Sequence, residues 1–166
     1  MASIACSLRA VARPAVMRMA PRAASRRAFA TSQMSLAKRY TIEHEWVDLS
    51  ADRKSATIGI SQYAAEQLGD VVYVEPPENL GETVQQGDAV GAVESVKSAS
   101  DINAPIKCKI VQSNTLLEQS PATINKVPED DSAGGGWVIK AEVDEEGAKQ
   151  YDGLMDAEAY KAFISD

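Results

Sequence analysis

The chain has 166 residues, 45% of them hydrophobic, 25% charged and only 5% aromatic, which suits one folded domain with a modest core and excludes a large multidomain enzyme. Its formal net charge is −7, yet the first acidic residue is Glu43, so that average joins two unlike segments.

Residues 1–30 hold six arginines (Arg9, Arg13, Arg18, Arg22, Arg26, Arg27), no lysine and no acid, set among Ala, Ser, Met and Val. A cationic, serine-containing, acid-free stretch is drawn to a negatively charged membrane and to acidic receptors, as organelle transit peptides are. A secretory signal needs about 7–15 uninterrupted apolar residues, whereas arginine recurs here every four or five positions. Residues 1–36 are therefore expected to be a mitochondrial transit peptide, cut after Ala30 or, on a second trimming, near Leu36, with 37–166 the domain that works in the matrix. The alternative, a nucleic-acid arm, lacks a lysine cluster and interleaved aromatics. Without residues 1–30, eleven basic residues face all twenty-four acids, a charge near −13. That sign disfavours nucleic acid and anionic membrane surfaces and favours docking on basic patches of partner proteins. No later stretch offers the ~20 apolar residues of a membrane span.

From Tyr40 onward, short apolar runs alternate with turn residues, the pattern of a mainly β domain. Strands are expected over 45–48, 56–60, 71–75, 89–94, 100–103, 107–112 and 137–143, rich in Val and Ile. A short internal helix follows Ser61, a natural N-cap, and ends at Gly69; a C-terminal helix follows Asp156, with Tyr160, Phe163 and Ile164 on one face folding back on the sheet. Residues 114–133 read as a long connection anchored by Leu117 and Ile124, and 129–136 as a plain surface loop. His44, Trp46 and Trp137 read as structural, His44 as a strand residue and Trp46 as a core aromatic.

Catalytic equipment is thin. With Cys6 in the leader, Cys108 is the only cysteine of the domain and His44 the only histidine of the chain, so an enzyme would have to be built on that one pair, and a closed zinc site lacks ligands. The informative segment is 91–102, a β-hairpin with solitary Lys97 at its tip among Ser95, Ser98, Ala99 and Ser100. Small neighbours leave an amine that a modifying enzyme can surround and join to an activated acid, with loss of the charge.

Glu94-Ser95-Val96-Lys97, with Asp101 and Ala104-Pro105, resembles the lipoyl-lysine hairpin of the glycine cleavage H-protein family. The resemblance runs on through Tyr40-Thr41, His44-Glu45-Trp46-Val47, Ile58-Gly59-Ile60-Ser61, Leu68-Gly69-Asp70-Val71-Val72, Gly81, Val84, Gly87, Asn114, Leu117, Pro121, Ile124-Asn125, Gly136-Trp137 and Leu154-Met155-Asp156-Ala157-Glu158-Ala159-Tyr160. It implies a barrel-sandwich hybrid of the lipoyl/biotinyl-carrier type and a carrier rather than an enzyme, with lipoate covalently bound to Lys97. It implies that Glu94 is read by the lipoylating enzyme, and that Glu45 and Asp101 line the cleft that shelters the aminomethyl-lipoyl arm. It also implies three further partners in glycine catabolism and one-carbon metabolism. P protein (glycine decarboxylase) loads the arm, T protein (aminomethyltransferase) unloads it and L protein (dihydrolipoyl dehydrogenase) reoxidises it. Biotinyl carriers normally place the lysine between methionines, and 2-oxoacid dehydrogenase lipoyl domains show Asp-Lys-Ala there; Val96 and Ser98 flank it here. One departure is Lys107-Cys108, where the family usually has a Ser-Gly return turn.

Overall fold

The computed structural model describes residues 37–165; the transit-peptide expectation for 1–36, Cys6 included, lies outside them. In chain order the elements are β1 (Arg39–Tyr40), β2 (Glu45–Leu49), β3 (Ser55–Ile60), α1 (Gln62–Leu68), β4 (Val71–Glu75), β5 (Thr83–Val84), β6 (Ala89–Ser95) and β7 (Ala99–Asn103). They continue with β8 (Cys108–Ser113), α2 (Thr115–Gln119), α3 (Thr123–Lys126), β9 (Ile139–Val143), α4 (Glu145–Asp152) and α5 (Ala157–Ser165). The strands form a six-stranded sheet in the order β1-β2-β3-β9-β8-β5 and a three-stranded sheet in the order β4-β6-β7, and all pairs are antiparallel. Two sheets closing over one apolar interior make the expected barrel-sandwich hybrid.

Both sheets contribute to the main core: Val47, Leu49, Ile58, Ile110 and Ile139 from the larger, Val74, Val93 and Ile102 from the smaller. Expected anchors Leu117 and Ile124 are buried there, each on a single helical turn. Asn114 starts the first of these, its side chain accepting from Leu116 N and donating to the carbonyls of Gly135 and Trp137. Strand β2 has no solvent face, because Trp46 on its reverse side meets Tyr40, Trp137 and Tyr160 in a second, aromatic core. Helix α5 is held in that core by Tyr160, which stacks on Tyr40 with ring centroids 4.4 Å apart. The expected helix is thus present, with Tyr160 and Ile164 inward but Phe163 45% exposed.

Several expectations need correction. Residues 114–133 are not a bare connection, since α2 and α3 lie within them. Strands β1 and β5, two residues each, and helix α4 were not anticipated. Residues 129–136 are not a plain surface loop. Glu129 accepts from Tyr40 OH (2.8 Å), from Gln62 N (2.9 Å) and, at its carbonyl, from Lys38 Nζ. Gly135 and Gly136 are buried, and a Cβ on Gly135 would sit 1.9 Å from the Asp130 carbonyl. Only 131–134 are exposed. Trp137 and Val138 precede β9 rather than opening it. His44 is not a strand residue: it holds a left-handed φ of 73° in the turn before β2.

Candidate functional site

Strands β6 and β7 pair in register from Ala89↔Asn103 to Glu94↔Ala99, with one bulge between Ala89 and Gly91. Beyond Glu94 the chain must reverse in four residues, and Ser95 makes that possible. Its N–H bonds the Ser98 carbonyl (2.7 Å), while its hydroxyl accepts from Lys97 N (3.2 Å) and Ser98 N (3.0 Å). Lys97 therefore stands at the apex with its backbone fixed and its side chain exposed. The apex is also tied to the body, because Val96 N donates to the Asp70 carbonyl (3.1 Å) in the segment joining α1 to β4.

Beside the apex, between the edge strand β7, α1 and the turn before β2, lies an open cleft of ≈ 280 Å³. Glu45, His44, Leu68, Ser98 and Asp101 are among its lining residues. The fold thus brings two of the predicted carboxylates, Glu45 and Asp101, to one cavity whose rim is the lysine turn. They differ in character. Asp101 is exposed at the edge of the small sheet, on the outer face with Ala92, and borders the cleft from its rim, whereas Glu45 is 3% exposed and engaged at both oxygens, accepting from Asn103 N (3.1 Å) and from Thr41 Oγ1. Glu45 is therefore no solvated carboxylate; it staples the edge of the small sheet to the large one. Glu94 is not in the cleft. Its register partners are Tyr73 and Ala99, which places it on the outer face of the small sheet one residue below the turn.

Sequence reasoning passed over Asn103 and Tyr160. Asn103 holds Glu45 through its N–H and Glu43 through Nδ2 (2.8 Å). Tyr160 OH lies 2.9 Å from His44 Nδ1 and 2.7 Å from Ser61 Oγ, which fixes the imidazole that lines the cleft. The apolar spacing of α5 pointed to Tyr160 as a packing residue, but nothing local announces its hydroxyl partners; Asn103 carries no signal at all, since its partners lie 58 and 60 residues away.

Nothing brings Cys108 to His44. Cys108 pairs in register with Val84 and Val143 in the large sheet, whereas the ring neighbours of His44 are Tyr63, Tyr160 and Phe163. Burial, then the nearby Asp144 charge, pushes the Cys108 thiol up to about 11, opposite to what a nucleophile needs. Both indoles are spent on structure, Trp46 Nε1 on the Pro128 carbonyl (3.1 Å) and Trp137 Nε1 on the Ser132 carbonyl (2.8 Å).

Residues 38–166 match the family model described as glycine cleavage H-protein. A glycine cleavage system H protein of Phenylobacterium zucineum is 50% identical over 127 residues, 76% of this chain and 98% of that protein. One from Arabidopsis thaliana, named as mitochondrial, is 43% identical over 128 residues, 77% of this chain and 76% of its own. The crystal structure of a glycine cleavage system H protein from Mycobacterium marinum superposes with a TM-score of 0.63 at 35% identity, covering 78% of this chain and 97% of that one.

Proposed function

Because the chain belongs to the glycine cleavage H-protein family, we propose that it is a non-catalytic carrier with lipoate amide-linked to Lys97. The observation that carries this reading is the lysine itself, exposed at the apex of a turn pinned on both sides by Ser95 and Asp70. The surroundings suit a long flexible arm: Ser98 and Ala99 leave room at the apex, and the bare Cα of Gly69 lies under the lysine stem, where an added Cβ would come within 3.5 Å of Nζ.

Lipoate on Lys97 would supply a disulfide that is reduced as one sulfur accepts an aminomethyl group at P protein (glycine decarboxylase); T protein (aminomethyltransferase) would remove that group's carbon with release of ammonia, leaving a dithiol for L protein (dihydrolipoyl dehydrogenase) to reoxidise. The residues of this chain do the rest. Lys97 tethers, so that the reacting group reaches each partner at high effective concentration. Asp101, at the mouth of the cleft, attracts the ammonium of a loaded arm, and Glu45 at its wall adds negative potential while holding the wall together. A cleft that excludes water slows loss of the amine by hydrolysis. Glu94, exposed on the face next to the apex, is available to the lipoylating enzyme. We further propose that residues 1–36 address the chain to the mitochondrial matrix and are removed there, leaving 37–166 as the lipoyl-carrier domain.

Intact mass of the protein purified from mitochondria tests the lipoyl attachment and the removal of the leader together. A lipoyl-amide increment at Lys97 on a chain starting near residue 31 or 37 is expected, and Lys97→Arg is expected to lose both the increment and all glycine–bicarbonate exchange with P protein. A biotinyl increment would move the chain to another class of carrier. An unmodified Lys97 in a lipoylation-competent host would refute the reading.

A further inference from the structure

Asn125 is a half-buried polar side chain outside the cleft, and it is placed by Ile124, which is fully buried in the main core. Its amide grips the α1–β4 junction at two points: Nδ2 donates to the Gly69 carbonyl (2.6 Å) and Oδ1 accepts from Val71 N (3.0 Å). The peptide between those points is the one on which the lysine turn rests. Its Asp70 carbonyl accepts from Val96 N (3.1 Å), and Gly69 offers a bare Cα to the Lys97 stem, with Nζ, Cε and Cδ 3.5, 3.7 and 3.9 Å from a Cβ built there.

Backbone bonding holds the two ends of this junction, Gly69 N donating to the Ala65 carbonyl (3.2 Å) and Val71 pairing with Ser95, and leaves the peptides between them to other contacts. Gly69 sits at φ 76° and ψ −147°, a region that only glycine occupies freely and in which glycine has many alternatives. A side chain bonded to the carbonyl of residue i and the N–H of residue i+2 removes those alternatives. Asparagine suits this: its amide puts an acceptor oxygen and a donor NH2 group side by side on a short stem, whereas ionised aspartate has no donor for the carbonyl. Leu68, immediately before this peptide, lines the cleft, so the junction fixes the apex and the cleft wall relative to each other.

We propose that Asn125 is a positioning residue for Lys97. By clamping Gly69 and Val71 it sets the height and direction of the lysine turn over the mouth of the cleft, and so decides where an arm attached to Nζ starts. The consequence for an attached arm rests on the carrier reading; the positioning of the turn does not.

Amide hydrogen exchange followed by NMR on the unmodified chain tests it directly. In Asn125→Ala, exchange at Val96 is expected to rise by about tenfold or more, the loss of one or two hydrogen bonds, while the β2–β3–β9 ladder keeps its protection. Asn125→Asp keeps the acceptor for Val71 N and loses the donor to Gly69. It should fall between wild type and Asn125→Ala, and it carries the test alone if Asn125→Ala does not fold. Unchanged Val96 exchange in a folded variant overturns the proposal, and so does an equal rise throughout the domain, which makes Asn125 a general stabiliser. For the arm, the rate of lipoylation by a lipoylating enzyme should show a raised KM for Asn125→Ala with kcat retained. If wild type itself is not lipoylated while Val96 responds as stated, the carrier reading fails and the positioning role stands.

Discussion

Glu45 shows how much a single buried carboxylate can be asked to do. Among the described residues its hydrogen-bonding partners are a backbone N–H and a hydroxyl, with no basic side chain among them, so its contribution lies in satisfying donors that would otherwise be stranded. Glu45→Ala takes the acceptor from Asn103 N and from the Thr41 hydroxyl proton at a part-buried wall of the cleft, and should cost about 2–3 kcal/mol in urea unfolding. Glu45→Gln preserves shape and one acceptor and should cost about 1–2 kcal/mol. An alanine variant as stable as wild type would sink the stapling role. Cys108 gives a second test at this scale. Its thiol is raised from 9.0 to about 11 in the folded chain, first by burial, so the unfolded chain ionises more readily. The associated stability is present below pH 9 and is lost as pH rises through 11. Thermal melts should fall along that limb, and Cys108→Ala should flatten it. Disulfide-exchange labelling of native protein at pH 8 should be slow and should become rapid on unfolding; fast labelling of the folded chain would contradict the burial.

Helix α4 marks where local pattern stopped being informative and why. Its sequence has little apolar periodicity, because only Gly147 and Tyr151 are buried, and one of those has no side chain. The helix exists because Asp144 caps it, Oδ1 accepting from Gly147 N (2.8 Å), and because it seats on the entry to β8. There Lys107 N donates to Gln150 Oε1 (2.6 Å) and Lys107 Nζ meets Asp144 (3.2 Å) and Glu146 (2.6 Å). Lys107 and Cys108 thus each have a physical account: the lysine faces the first turn of α4 and the cysteine faces the core. Closest approach is at Gly147, where a Cβ would lie 2.1 Å from the Lys107 carbonyl. Backbone cannot yield as a side-chain tip does, so Gly147→Ala, stabilising on helix propensity alone, is expected to destabilise by about 2–3 kcal/mol. A melting temperature at or above wild type would show that α4 does not seat this way. The strands were legible for the opposite reason. Short runs bounded by turn residues, such as 71–75 and 100–103, coincide with β4 and with all but the first residue of β7, and the lysine hairpin is a local object, written in consecutive residues. Glu129, Asn103 and the Tyr160 hydroxyl were not legible, since each is defined by a partner 60 or more residues away or by the meeting of separate elements. Helices α2 and α3 fell between, their anchors visible at Leu117 and Ile124 but their single turns too short to show a period.

At the scale of the molecule, part of the acidity of the chain is gathered on one face. Residues 37–166 hold eleven basic residues against twenty-four acidic ones. The outer face of the small sheet shows how they are spent. Its two outward rows read Tyr73–Glu94–Ala99 and Glu75–Ala92–Asp101 across β4, β6 and β7, with Lys97 at the end of the hairpin as the one basic residue of that sheet and its turn. If Lys97 is acylated its charge disappears and the face becomes wholly acidic around the arm. A carrier that must visit several partners gains from fast, weak, long-range attraction rather than from tight burial, and an acidic face supplies that toward basic entrances. Such steering is screened over about 10 Å at 0.1 M salt, so it leaves a kinetic signature distinct from that of an apolar interface. The association rate of the lipoylated protein with P protein should fall about tenfold or more between 10 mM and 500 mM salt, with the dissociation rate nearly unchanged. Reversing charge on the face with Glu75→Lys, which leaves Glu94 to the lipoylating enzyme and Asp101 to the cleft, should weaken that dependence and slow association at low salt, while the fold, whose contacts this exposed side chain does not make, keeps its melting temperature. Rates that ignore ionic strength in wild type, or that respond equally in the charge-reversed variant, would mean that this face does not guide the encounter.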